Sequence, residues 1–103
     1  MYINTAEQIS GIPSSYPGTE LQTGSRGDKV RQMQEQLNVI ADVYSAIPRI
    51  TADGIFGAMT AAAVKEFQSI FGLQQTGVVD FPTWYKISEI YVGISRIAEL
   101  RWY

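Results

Sequence analysis

The sequence predicts an all-α domain, a three-helix bundle preceded by an extended N-terminal linker, and three observations predict it. Apolar residues recur at helical spacing in three separate stretches, a glycine-turn-helix unit is used twice, and the first two dozen residues have no apolar periodicity at all. With 103 residues, 46% of them apolar, the chain has material for one core and too little for two.

Residues 1–23 read as the linker and residues 24–103 as the domain. The linker holds two of the four prolines, several Ser and Thr, and only scattered Ile3, Ile9, Ile12 and Leu21. Within it, Ile12-Pro13-Ser14-Ser15-Tyr16-Pro17-Gly18 should be extended and turn-rich, because proline disfavours helix at the residue before it. Periodicity begins at Val30 and continues through Met33, Leu37, Ile40 and Tyr44, which places five side chains on one stripe of a first helix. Ser25 followed three residues later by Asp28 suggests a capping box at its start, and Pro48 is the expected break.

A second helix is predicted from about Ala58 to Phe71, with Ala63, Phe67 and Ile70 inward, Val64 and Phe71 widening the stripe, and Gly72 as a left-handed stop. A third runs from about Phe81 to Leu100, with Trp84, Ile87, Ile90, Tyr91, Ile94 and Ile97 inward. Asp80 is its N-cap and Pro82 sits in its first turn. Gly93 inside this helix suggests close backbone packing or a bend. The repeated unit is Gly54-Ile55-Phe56-Gly57-Ala58-Met59-Thr60 and Gly77-Val78-Val79-Asp80-Phe81-Pro82-Thr83, in each case a glycine, two apolar residues, a cap-type residue and a threonine six residues after the glycine. Each glycine should aim its following helix back onto the core.

Composition excludes much chemistry. Eight Lys and Arg against ten Asp and Glu give a net charge of −2, so no basic field is available for nucleic acid. There is no His and no Cys, which removes imidazole and thiolate metal sites, Ser-His and Cys-His nucleophile pairs, and disulfides. No cofactor or metal is expected. No apolar run is long enough to insert in a membrane, and Met1 to Ser15 lacks the pattern of a signal peptide. An extracellular role would therefore place the export signal elsewhere in a longer parent.

Taken together, Gly27-x-x-Val30, Gln34-x-x-Leu37, Asp53-Gly54-Ile55-Phe56-Gly57-x-x-Thr60, Ala63-Val64-x-x-Phe67-Gln68, Gly72-Leu73, Gly77-Val78-Val79 and Thr83-Trp84 resemble the peptidoglycan-binding domain type 1 family over about residues 24 to 90. The resemblance implies a three-helix, non-catalytic module that binds peptidoglycan, glycan strand or stem peptide. It also implies a covalently fused hydrolase, an amidase, a peptidase or a spore-cortex enzyme, working outside the cell, at the wall or in the spore. Three departures stand out. Asp80-Phe81 replaces a glycine usual in the family, the stretch from Asn38 to Ile50 is longer than in the shortest members, and the third helix runs past the family's usual end through Tyr91 to Tyr103.

Six residues are candidates for ligand contact. Arg49 could pair bidentately with a stem-peptide carboxylate and Tyr44, in the same loop, offers an apolar face. Asp53 could border a groove, although Asp-Gly before an apolar residue is first a turn signal. Gln34 and Gln68 occupy matched places on the first two helices, where their amides would bond either a ligand or the connecting loops. Trp84 could stack on a sugar from a rim position, whereas Phe56 and Phe67 read as core. A competing reading is a protein interaction or oligomerisation module that uses the apolar C-terminal end, Ile94, Ile97, Leu100, Trp102 and Tyr103.

Overall fold

A computed structural model describes residues 16–100, with side chains through Ile97. The expectations for Ile3 to Ser15, and for the side chains of Leu100, Trp102 and Tyr103, lie outside the described residues. Three helices make the fold: α1 Asp28–Ala41, α2 Ala58–Ile70 and α3 Phe81–Leu100. Among the described residues there is no strand, only two isolated antiparallel bridges. Helix α1 packs chiefly on α3 and less on α2, and Val30, Met33, Leu37 and Ile40 from α1 share one core with Phe67 of α2 and Ile87 of α3.

Helix α1 starts without the expected capping box. Its N-cap is Gly27, with no side-chain bond, because Gly27 N–H donates to the Gly54 carbonyl (2.9 Å) and so holds this end of the chain against the first glycine turn. Ser25 lies too far upstream to cap, and its Oγ instead accepts the Gln22 N–H at 3.0 Å. Asp28 is an exposed first-turn residue paired with Arg31 at 3.3 Å, where its charge still suits the helix dipole. The helix also ends earlier than Pro48 suggested, at Ala41. The chain turns there to carry Ile47 into the core at 2% exposure, so Tyr44 lies beyond the helix rather than on its stripe.

Helix α2 keeps Ala63, Val64 and Phe67 buried but leaves Ile70 exposed, since Ile70 falls to the side of a stripe that Phe71 completes. Helix α3 has the predicted bounds, and Asp80 Oδ1 accepts the Thr83 N–H at 3.1 Å as its cap. Trp84 and Ile87 are buried, Ile90, Tyr91 and Ile94 pack partly on the core, and Ile97 points outward at 61% exposure. Gly93 is corrected too: it is exposed, and a Cβ there would meet nothing within 4 Å, so close packing is not its reason.

The largest correction concerns the N-terminal segment. Residues 16–23, expected as linker, join the folded body. Leu21 is buried and exchanges two backbone hydrogen bonds with Val79, at 3.0 and 2.8 Å. Tyr16 lies edge-on to Phe81 and Trp84, with ring centroids 5.4 and 6.1 Å away. Further along, Gly24 N–H donates to the Phe56 carbonyl (2.9 Å) and Phe56 N–H to the Ser25 carbonyl (3.0 Å). The stretch from Leu21 to Gly27 thus runs past both glycine turns and ties them together, a role that needs extended backbone and no apolar periodicity.

Candidate functional site

The two glycine turns are built alike, each around a buried glutamine amide. Gln34 of α1 accepts the Gly54 N–H on Oε1 (2.8 Å) and donates from Nε2 to the Ile55 carbonyl (2.9 Å) and to Thr60 Oγ1 (3.0 Å). Gln68 of α2 accepts the Gly77 N–H (2.9 Å) and donates to the Val78 carbonyl (3.0 Å) and to Thr83 Oγ1 (3.1 Å). The sequence repeat is therefore a repeat of one hydrogen-bonded device, in which an amide reads the donor and acceptor of a turn and the threonine of the next helix. Both glycines sit at positive φ, 80° for Gly54 and 77° for Gly77, the region that side chains with a Cβ avoid. The residue before each glycine also matches: Asp53 Oδ1 accepts the Ile55 N–H at 3.0 Å and Thr76 Oγ1 the Val78 N–H at 3.0 Å.

This device decides where Gln34 and Gln68 stand. They are 0% and 1% exposed, and their amides are committed internally, so they position the turns and offer nothing to solvent. Trp84 is corrected from a rim position to the core, 2% exposed, with the Lys29 ammonium 5.8 Å from its ring centre. Phe56 and Phe67 are core, as read. The aromatic surface that does reach solvent at this end is Phe81, 52% exposed, flanked by Tyr16 and Tyr85. Burial, and secondarily the Glu20 and Asp80 carboxylates, raise the Tyr16 phenol above its ordinary pKa of 10.0.

Arg49 and Asp53 are brought together. They border a groove of about 330 Å³ whose walls are residues 49–51 on one side and Ile55 with Gly57–Thr60 on the other. The long loop after α1 is held for this purpose by Asn38. Its amide donates to the Ile50 carbonyl (2.8 Å) and accepts the Ile50 N–H (2.9 Å), imitating a strand partner. The Arg49 guanidinium reaches back to the Asn38 carbonyl (3.2 Å) and to the Asp42 carboxylate. Both members of that ion pair are more than half exposed, so the guanidinium remains open to another anion. Tyr44 does not line this groove; its ring lies edge-on to Phe71, 5.1 Å between centroids, leaving it 36% exposed.

Met59 and Ile55, 63% and 43% exposed, are the most exposed large apolar residues of a groove that Ile50 and Ala58 also line, and neither was singled out from the sequence. Their signal was there: both are large apolar residues lying off the helical stripes, inside the conspicuous glycine block. The arrangement offers one cation, an exposed carboxylate bonded to its own turn, the hydroxyl of Thr51, and a small apolar floor. It supplies contacts and no pair of carboxylates set for proton transfer. At the other end, Ile94 packs partly on the core and Ile97 is exposed, and no helix among the described residues is long and apolar enough to cross a membrane.

Comparison with known proteins agrees with this geometry. The PG_binding_1 family, described as "Putative peptidoglycan binding domain", matches residues 26–87. The chain is 37% identical over 76 residues to a zinc D-Ala-D-Ala carboxypeptidase of Streptomyces albus G, a match covering 74% of this chain and 28% of that protein. It is 31% identical over 88 residues to an uncharacterised protein in the bpoA1 3' region of Kitasatospora aureofaciens, covering 82% of this chain and 70% of that protein. In structure it is similar to the SleB N-terminal domain, with a TM-score of 0.64, 26% identity, and coverage of 75% of this chain and 99% of the other. The chain thus spans little more than a quarter of the carboxypeptidase it resembles and nearly all of the SleB domain. With the doubled glutamine-clamped turn, the three-helix core and the family match all falling on the same residues, the chain belongs to the peptidoglycan-binding domain family PG_binding_1.

Proposed function

We propose that this domain holds peptidoglycan without doing chemistry on it, and that it anchors a fused cell-wall hydrolase to its substrate at the wall or in the spore. The observation that carries the reading is the groove between Arg49 and Met59, set on the most family-specific block of the sequence and lined by groups that bind but do not catalyse. Its small size supports the anchoring sense: with so few contacts, affinity is about micromolar or weaker, near −8 kcal/mol, and attachment to a catalytic domain raises effective retention. The similarity to a D-Ala-D-Ala carboxypeptidase over a minor part of that protein supports a module joined to a hydrolase. Arg49 and Asp53 are the polar contacts on this reading, Met59 and Ile55 the apolar ones, with Tyr44 at the outer end of the same loop.

The test is retention on purified, insoluble cell walls. Arg49→Ala combined with Met59→Ser should pass into the supernatant several-fold more readily than the parent while melting at nearly the same temperature, because both side chains are exposed. Equal retention of variant and parent would remove the groove from the binding surface.

A further inference from the structure

We infer that the part of the wall this domain recognises is the free-carboxylate peptide rather than the glycan, and that it lies across the Asp53-Gly54-Ile55 turn, with carboxylates met by arginines on both sides; this rests on the peptidoglycan-binding reading above. A second concavity, of about 460 Å³, lies on the opposite side of that turn and is lined by Arg26, Gly27, Asp28 and Arg31. The two hollows share Asp53 and Ile55, so the turn is a ridge with a basic group beyond it in each direction: Arg49 on one side, Arg26 and Arg31 on the other.

Three features favour a peptide. No aromatic side chain lines either hollow, whereas sugar rings are held by stacking on exposed aromatic faces; the exposed ring of Phe81 and the half-buried ring of Tyr85, at the start of α3, line neither. The cations are available. Arg26 is exposed and makes no ion pair among the described residues, and the Arg31–Asp28 and Arg49–Asp42 pairs are solvent-exposed. Exchanging such a pair for a ligand carboxylate costs little, since exposed pairs contribute little, and an arginine grips a carboxylate in bidentate fashion. Finally, the carboxylate on the ridge itself, Asp53, is exposed but accepts the Ile55 N–H at 3.0 Å and lies 3.5 Å from the Gln34 amide, donors that offset part of its repulsion of an anionic ligand.

The experiment follows backbone amides of residues 26–31 and 49–58 of the isotope-labelled chain by NMR. Three soluble probes are titrated: a synthetic stem peptide with two free carboxylates, the same peptide with both carboxylates amidated, and a tetramer of N-acetylglucosamine. The free peptide should shift amides on both sides of Gly54, amidation should weaken it about tenfold or more, and Arg26→Gln and Arg49→Gln should each weaken it by about threefold to tenfold. The sugar should leave these amides unmoved. The inference is overturned by equal affinity for the amidated peptide, by the sugar shifting these amides, or by no shift with millimolar peptide while the chain still pellets with walls. Loss of pelleting itself would instead overturn the reading beneath it.

Discussion

Replacing Gln34 by leucine, a residue of similar size, should strand the polar groups of the first glycine turn and unfold the domain at a much lower temperature. Three partners lose their bonds: the Gly54 N–H, the Ile55 carbonyl and Thr60 Oγ1. Ile55 is exposed, so its carbonyl recovers water, but Gly54 is buried and Thr60 is only 3% exposed. Two stranded buried groups cost about 1–3 kcal/mol each, or about 2–6 kcal/mol together, a large part of the 5–15 kcal/mol typical of a domain. At about 4–8 °C per kcal/mol for a domain near this size, the melting temperature should fall by at least about 8 °C. Circular dichroism melts and urea titrations measure this, with the urea midpoint lowered and the slope unchanged. Gln68→Leu should cost a comparable amount, because its partners Gly77, Val78 and Thr83 repeat the first set, whereas Gln75→Leu at an exposed position should change stability by no more than about 0.5 kcal/mol. If Gln34→Leu melts within about 3 °C of the parent, the amide is not what holds the turn and the account of the repeat is wrong.

Other substitutions test other parts of the fold. Leu21→Ala should destabilise by about 2–4 kcal/mol, the cost of a cavity at a buried leucine, and a urea midpoint unchanged from the parent would return residues 16–23 to the status of a linker. Gly54→Ala meets both a φ of +80° and the Gly27 carbonyl oxygen 3.2 Å from the new Cβ, so it should cost about 1–3 kcal/mol. Gly93→Ala, in open space on a helix, should instead stabilise by about 0.5–1 kcal/mol; opposite signs for the two in thermal melts are the expected result. The Tyr16 phenol ionises near pH 10.0 in the unfolded chain and higher in the fold. Its stabilising contribution is intact below pH 10 and is lost as pH rises through the folded value, because the unfolded state then gives up its proton first. Tyr16→Phe should accordingly lose less stability than the parent between pH 9 and pH 11 in urea titrations, and equal losses would contradict the burial of that hydroxyl.

How far the sequence carried these conclusions differs by residue. The helices were legible because Val30, Met33, Leu37 and Ile40, or Trp84 and Ile87, must all face one way, and a period of 3.6 residues states that in one dimension. The second use of the glycine turn was legible for the same reason, since a local device leaves a local signature. The amide clamps were half legible. Gln34 and Gln68 stood out as matched positions, but whether an amide faces a ligand or a loop depends on where a segment 20 residues away, or 9 residues away, returns in space. The roles of Leu21 and Tyr16 were not legible, because extended backbone that pairs at single points with Val79 or packs edge-on to Trp84 needs no repeating pattern. Ser25 misled for a related reason: its spacing from Asp28 fits a capping box, and only the Gly27 to Gly54 bond shows that the helix begins two residues too late for it. The groove was legible at Arg49 and Asp53 and missed at Met59, which lies in the first turn of α2 and off its buried stripe.

The central claim, that this domain binds peptidoglycan and leaves it intact, is tested most directly by one binding isotherm. The chain is incubated with rising amounts of purified, teichoic-acid-free peptidoglycan, the fraction pelleted is measured, and the supernatant is assayed for newly released amino groups and reducing sugar ends. Saturable pelleting with a dissociation constant of about micromolar or weaker, with neither product released above the protein-free control, is the result expected. A chain that stays in the supernatant at every concentration would contradict the binding role, and steady release of either product would contradict its being a binding module alone.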